Sequence, residues 1–335
     1  MTYRDPTLLP WLMAPWMQLQ HALQEDRVPH ALLIHGLPKL GKADLAMAFA
    51  HTLLCTALQP KPCGSCAGCH LFAAGTHPDF LQVAPEEEGK AIKVDAIRKL
   101  INDFALKPQY PGYRVFIIHR AESMNANAAN ALLKTLEEPA EQNVILLLAD
   151  QIDRLPATIL SRCQKLTVRP PRADLARSWL LEHRPDCPAD VLLAAANGSP
   201  IRALELTETD VVERRRKAFE EFAGIIGRGL DPVRVAERWL GESPDECLDW
   251  MISWLDDLIR LGATGDASRA RNSDVISEMR DAGTRIGTRR LLDFWAELLN
   301  FRQALGGQIN RQLLLEDLLI RWSRLRSGSP RMVAP

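Results

Sequence analysis

The chain has 335 residues, of which 47% are hydrophobic and 25% charged, so a disordered or collagen-like protein is excluded. This length predicts two or three domains and allows folding without disulfides. With 41 basic and 42 acidic residues the net charge is −1, which argues against a protein that coats polyanions but leaves room for local basic patches. The longest apolar runs are too short to cross a membrane, and charges and prolines interrupt the first twelve residues, so we expect a cytoplasmic protein.

The first half of the chain alternates apolar runs with helical patterns. The runs are rich in leucine and β-branched residues without polar alternation, which is typical of strands buried on both faces of a parallel sheet; they cover 31–35, 114–119 and 143–149. The helical patterns cover 42–54, 94–105 and 125–138, the last ending at Pro139. This alternation predicts an α/β domain.

After Pro170 and Pro171 the pattern becomes almost wholly helical. Short helices are predicted over 173–206, interrupted at Gly198–Pro200, and longer ones over 207–327. Five of the eight tryptophans lie in the longer segment, where we expect them to fill gaps between helices: Trp239, Trp250, Trp254, Trp295 and Trp322. The sequence therefore predicts a small helical domain followed by a larger one.

A glycine-rich segment follows the first predicted strand and precedes a helix. Gly36, Gly41 and Lys42 match the phosphate-loop pattern GxxxxGK. In such a loop, backbone N–H groups and the helix N-terminus surround phosphate oxygens, and the lysine reaches the outer phosphates. The alternative is an ordinary strand-to-helix turn, but the flanking strand and helix favour the phosphate loop.

Two elements that hydrolysis requires are missing. Ala43 stands where a serine or threonine hydroxyl would bind Mg²⁺. The strand near 115–118 ends in His119 and Arg120 instead of paired carboxylates, and Glu122 is offset by two residues. Metal-assisted phosphoryl transfer would lose several kcal/mol of charge stabilisation, so we expect no hydrolysis by this chain. Passive nucleotide binding stays open, because Lys42 and both glycines persist.

Four cysteines lie within fifteen residues: Cys55, Cys63, Cys66 and Cys69. Paired cysteines separated by two small residues form a tight knuckle, and four thiolates fit tetrahedral Zn²⁺. An iron–sulfur cluster is the nearest alternative, but the fourth cysteine lies upstream and not before a proline downstream; four free thiols are a third possibility. A site closed by four protein ligands would be structural, with His70 as a surface residue.

The order of motifs along almost the whole chain resembles the bacterial clamp-loader subunits of DNA polymerase III, an AAA+ family. Because the catalytic elements are missing, the chain resembles the family member that does not hydrolyse ATP more than it resembles the gamma/tau motor subunits. Residues 9–12 are also similar to that member. The motifs that carry the resemblance are the phosphate loop, the cysteine knuckle, GTHPD at 75–79, NALLKTLEEP at 130–139, SRC at 161–163, NGSPIRAL at 197–204 and NRQLLL at 310–315.

The resemblance implies an AAA+ α/β domain over 1–167, a small helical lid over 168–207 and an all-α collar over 208–335. It further implies a hetero-pentamer with motor (gamma/tau) and delta subunits that places a sliding clamp on primed DNA. This chain would be the stator, the rigid subunit against which the others move. The alternatives are a gamma/tau-type ATPase motor and, from another class, a zinc-dependent nucleic-acid-binding repair protein.

Two arginines acquire roles through the resemblance. Arg162 matches an arginine that reaches into the ATP site of a neighbouring motor, where it would neutralise phosphate charge in trans. Arg202 is similar to the second-sensor arginine of AAA+ lids, although it would equally serve as a partner for a carboxylate. The basic run 214–217 is flanked by glutamates, and we expect it on a helix surface and not on DNA.

Overall fold

The computed structural model describes residues 8–57, 62–87, 89–104, 107–267, 270–304 and 310–325. Contacts divide the chain into two compact units, Met1–Pro171 and Arg172–Pro335. Residue 105, at the end of the helix predicted over 94–105, lies outside the described residues. No helix in the described ranges combines the length and apolarity that crossing a bilayer requires.

The first unit is built on a parallel sheet of five strands, which confirms the predicted α/β class. The strands are β1 (Ala31–His35), β2 (Phe80–Val83), β3 (Arg114–Ile118), β4 (Asn143–Ala149) and β5 (Gln164–Thr167), in the order β2-β3-β4-β1-β5. Ala31 pairs with Ile145 and His35 with Ala149, all in parallel register. The carboxyl ends of β1, β3 and β4 therefore meet at one edge of the sheet, where open α/β sheets bind ligands.

Helices cover both faces of this sheet. They are α1 (Met13–Gln24), α2 (Lys42–Leu54), α3 (Ala67–Ala73), α4 (Val94–Phe104), α5 (Ala126–Glu137) and α6 (Ala157–Leu160), with 3₁₀ turns at Pro10–Leu12, Ala121–Ser123 and Ile152–Arg154. Because successive strand side chains point to opposite faces, Leu33 and Phe116 pack with α4 and α5, whereas Leu32 and Ile34 are buried outside that cluster. Helix α2 contacts β1, β3 and β4.

All the regular secondary structure described in the second unit, over 172–267, 270–304 and 310–325, is helical. Its helices are α7 (Ala173–His183), α8 (Ala189–Ala195), α9 (Pro200–Leu206), α10 (Val211–Gly227), α11 (Pro232–Gly241), α12 (Pro244–Thr264), α13 (Ile276–Ile286), α14 (Thr288–Ala304) and α15 (Arg311–Arg324). One apolar core runs from Ala176 to Trp322, and the ring of Trp322 stacks on Phe222 at 4.3 Å. The division at residue 207 into lid and collar stays a prediction.

The basic run on α10 is only partly the surface that the sequence predicted. Arg215 is 1% exposed, and its guanidinium contacts Asp274 and Asn272, each at 2.6 Å. Arg214 and Arg216 lie nearer the surface and pair with glutamates. The expectation of a solvated surface was therefore wrong for Arg215, because a helix that packs on several neighbours must also bury positions that look polar in the sequence.

Candidate functional site

The predicted phosphate loop lies at the carboxyl edge of the sheet, between β1 and α2. A Cβ atom on Gly36 would lie 2.1 Å from the carbonyl oxygen of Val168, so only glycine fits there. Gly41 has a φ of +83°, and a Cβ atom on it would lie 2.8 Å from a methyl of Leu9. The indole of Trp11 donates to the carbonyl of Leu40 at 3.0 Å. The segment before α1 thus packs directly on the loop.

The ammonium group of Lys42 is satisfied within its own chain. Its Nζ lies 2.8 Å from the carbonyl oxygen of Gly36, 2.6 Å from that of Leu37 and 2.6 Å from Oδ1 of Asp150. The side chain is only 7% exposed. An ammonium has three N–H donors, so these three acceptors account for all of them. In this conformation the lysine offers no free donor to a phosphate.

The positions that would hold a metal are filled by other groups. The side chain of Ala43 carries no oxygen. His119, which follows β3, forms a hydrogen bond through Nε2 with Oε1 of Gln82 at 2.8 Å. Oε1 of Glu122 accepts the backbone N–H of Asp150 at 3.2 Å, while Oε2 is buried with no hydrogen-bond partner. Burial raises the pKa of the Glu122 carboxyl. Glu122, Asp150 and Lys42 therefore form a connected chain of polar contacts at the sheet edge.

Asp150 is a residue of the candidate site that the sequence did not predict. It directly follows β4, and a carboxylate placed immediately after a fully buried strand is the signal that could have revealed it. Its partner Lys42 is 108 positions away in sequence, so only the sheet order brings the two together.

We predict that Glu122→Gln gains stability relative to the unchanged protein as the pH rises above about 4.5, the ordinary pKa of a glutamate carboxyl. A carboxyl whose folded-state pKa is raised contributes stability below its unfolded-state pKa and loses it as the pH passes the folded-state value. Glutamine keeps an oxygen for the Asp150 N–H but never ionises. Thermal melts of both proteins across this pH range measure the difference, and Glu138→Gln, at an exposed position, should show no such trend.

The four predicted cysteines come together as one cluster. Their sulfurs all lie within 4.8 Å of one another, with Cys55 to Cys66 and Cys63 to Cys69 at 3.9 Å each. Backbone N–H groups of Cys66 and Cys69 point at the sulfurs of Cys63 and Cys66, at 3.3 and 3.4 Å. Tetrahedral metal–sulfur bonds of about 2.3 Å require sulfur separations of about 3.8 Å, so the cluster fits a metal ion bound by four thiolates.

The cysteine cluster is remote from the phosphate loop. Cys55 follows the C-terminal end of α2 and Lys42 begins it, and a helix of 13 residues is about 20 Å long. His70 is exposed on α3 and is not one of the four ligands in the cluster. A metal here would join α2 to α3 without touching the loop.

Arg162 follows α6 and is held by several acceptors. Its Nη1 donates to the carbonyl of Thr158 at 2.8 Å and to Oγ of Ser161 at 3.3 Å, and its Nη2 lies 2.5 Å from Oε1 of Glu137. The side chain remains 32% exposed. Cys163 beside it packs against the core, and burial raises its pKa to about 11. Cys163 is therefore a packing residue with an unreactive thiol.

Arg202 lies on α9 in the second unit and pairs with carboxylates. Its Nη1 is 3.4 Å from Glu205 and its Nη2 is 3.1 Å from Glu246. The sequence left open whether Arg202 is a second-sensor residue or a partner for a carboxylate. Its described contacts are of the second kind. The structure thus gathers Gly36, Gly41 and Lys42 at one place and the four cysteines at another, with Arg162 on a third part of the first unit.

Comparison with known proteins gives consistent matches along the chain. Residues 13–172 match the family model described as "DNA polymerase III, delta subunit", and residues 209–324 match "DNA polymerase III, delta subunit, C terminal". The chain is 36% identical to the DNA polymerase III subunit delta' of Pseudomonas aeruginosa over 95% of its length and 98% of that protein. It is 33% identical to that of Escherichia coli over 93% and 94%.

The likeness to another subunit is shorter. The chain is 33% identical to the DNA polymerase III subunit tau/gamma of Haemophilus influenzae over 57% of its own length and 28% of that protein. Full-length matches with delta' subunits, together with family models that span both units, assign the chain. It belongs to the family of DNA polymerase III delta' subunits.

Proposed function

We propose that this chain is the non-hydrolysing stator of the DNA polymerase III clamp loader and helps to place the sliding clamp on primed DNA. The observation that carries the proposal is the internal saturation of Lys42 by Gly36, Leu37 and Asp150. A nucleotide would have to displace a buried ion pair and two hydrogen bonds before the lysine could reach a phosphate. Ala43 supplies no hydroxyl for Mg²⁺, and His119 and Arg120 directly follow β3 where paired carboxylates would be expected.

The chain acts, in this proposal, on the ATP site of a neighbouring motor subunit of the gamma/tau type. Arg162 supplies a guanidinium in trans to the phosphates there. Support comes from its position on a partly exposed turn after α6 and from the length of an arginine side chain. Arginine is suited to this task because its planar fork matches phosphate oxygens and never loses its charge.

In this proposal, a lid covers 168–207 and a collar covers 208–335. The collar provides the surface that joins this chain to motor and delta subunits in a hetero-pentamer. Leu292 on α14 and Leu313 on α15 are 47% and 61% exposed. In this proposal, these two leucines on helices of the predicted collar contact partner helices. Arg202 stays a candidate second-sensor residue in this proposal. Its contacts with carboxylates are those of the chain without partner subunits.

The metal of the cysteine cluster is, we infer, Zn²⁺. Four thiolates at tetrahedral spacing are its preferred closed ligand set, and no ligand position is left for water or substrate. The ion would supply folding energy by tying α3 and the preceding loop to the end of α2. It would take no part in phosphate chemistry.

Restoring the missing hydroxyl alone should not create an ATPase. We expect Ala43→Thr to hydrolyse ATP no faster than the unchanged chain, because the carboxylates needed after β3 remain absent and Lys42 remains bound to Asp150. Phosphate release by the purified chain measures this. Steady hydrolysis by the unchanged chain that Lys42→Ala abolishes would instead identify a motor subunit.

A further inference from the structure

The guanidinium of Arg162 already has a counter-ion within its own chain. Its Nη2 lies 2.5 Å from Oε1 of Glu137, the last residue of α5, while Nη1 donates a hydrogen bond to the carbonyl of Thr158 in the four-residue helix α6. The Glu137 side chain is 48% exposed and that of Arg162 is 32% exposed. The arginine is thus folded onto the surface of its own subunit, between the ends of two helices.

A phosphate and Glu137 would compete for the same donor. Bidentate recognition of a phosphate needs two parallel N–H groups of the fork, and Glu137 occupies the Nη2 side of it. Water and salt screen an ion pair this exposed, so its contribution to stability is small. The pair is therefore strong enough to bias the arginine toward its own subunit and weak enough for a multiply charged phosphate to displace it.

We propose that Glu137 is a restraining counter-ion that holds Arg162 away from the neighbouring ATP site until nucleotide displaces it. The inference rests on the proposed role of Arg162. Glu137 touches neither nucleotide nor attacking water; it is a positioning residue that acts through Arg162. The restraint operates in the nucleotide-free state, so it lowers kcat/KM for ATP without lowering kcat, because kcat/KM is measured from the free enzyme.

The chain offers a matched control beside Glu137. Glu138 is also exposed, carries the same charge and directly follows the same helix as its C-cap, but the described residues include no ion pair or hydrogen bond of its side chain. General electrostatic effects on the ATP site should be similar for both carboxylates. Only Glu137 can act through direct contact with Arg162.

The test uses the assembled clamp loader with its motor subunits, primed DNA and clamp. Glu137→Gln should raise kcat/KM for ATP at the adjacent site about threefold, leaving kcat unchanged. Glu138→Gln should match the unchanged complex. The double variant Glu137→Gln with Arg162→Ala should match Arg162→Ala alone, and the gain from Glu137→Gln should shrink as salt rises, since an exposed pair is screened.

The outcomes separate the restraint by Glu137 from the role of Arg162 in trans, which is here called the finger. If Arg162→Ala lowers ATP turnover but Glu137→Gln leaves kcat/KM unchanged or lowers it, the restraint is overturned and the finger stands. If Arg162→Ala turns over ATP like the unchanged complex, the finger is wrong and the restraint falls with it. A gain from Glu137→Gln that persists in the double variant would likewise overturn the restraint.

Discussion

Arg162→Ala is expected to cut ATP turnover at the adjacent motor site by about 100-fold or more, while the complex still assembles. An arginine supplied in trans neutralises charge that develops on the transferred phosphate, and its loss from such sites costs about 10³-fold or more in kcat. The side chain lies on an exposed turn, so its removal should leave the fold intact. DNA-stimulated phosphate release, clamp loading and size-exclusion chromatography together measure the effect.

Arg154→Ala is the matched control for this prediction. Arg154 is exposed on the 3₁₀ turn Ile152–Arg154, and its recorded hydrogen bond is to Gln151 at 3.4 Å. Its loss removes the same charge from the same unit and should leave turnover unchanged. Arg162→Lys should restore only part of the activity, because an ammonium lacks the planar fork. Undiminished turnover and clamp loading in Arg162→Ala would refute the role in trans.

Cys69→Ala is expected to release the metal and to destabilise the first unit by several kcal/mol, on the order of 3 or more. The sulfur of Cys69 is buried on α3 and closes a cluster whose other three ligands come from Cys55, Cys63 and Cys66. Three thiolates leave one coordination position open, and the tie between α2 and α3 is lost. The zinc content measured by elemental analysis should fall from about one ion per chain to near none. The melting temperature should fall as well.

Cys187→Ala provides the comparison for the metal site. Cys187 is a partly buried free thiol in the second unit, outside the cluster. It should keep the full zinc content and lose little stability. Iron together with visible absorption in the unchanged protein would contradict the zinc assignment, and so would full zinc retention in Cys69→Ala.

The central strands were predictable and the outer ones were not. Strands β1, β3 and β4 are nearly all apolar because both of their faces are covered, and that continuous pattern is visible in the sequence. Strands β2 and β5 lie at the two edges of the sheet, and β5 exposes Gln164, Lys165 and Thr167. Strand β2 has only four residues, too few for a clear pattern, and the polar side chains of β5 interrupt any continuous apolar run.

The same distinction holds for the site. The glycines, Lys42 and the four cysteines are local motifs, so their spacing alone predicts which residues lie together. Asp150 and Glu137 gain their partners through sheet order and helix packing, across 108 and 25 positions of sequence. Arg215 likewise becomes a buried residue only when α10 packs against the segment that carries Asn272. Such roles follow from tertiary contacts that no local pattern encodes.

The close approach of Gly36 to the Val168 carbonyl has a consequence for how such sequences are classified. Gly36 is required because a Cβ atom there would collide with a neighbouring carbonyl, and Gly41 because of its left-handed backbone and the nearby methyl of Leu9. Lys42 is required because its acceptors would otherwise be buried without a hydrogen-bond donor. Each signature residue thus has an architectural reason to persist that involves no ligand. A GxxxxGK segment is therefore not, by its pattern alone, proof of an ATP site, because packing can account for each of its three signature residues.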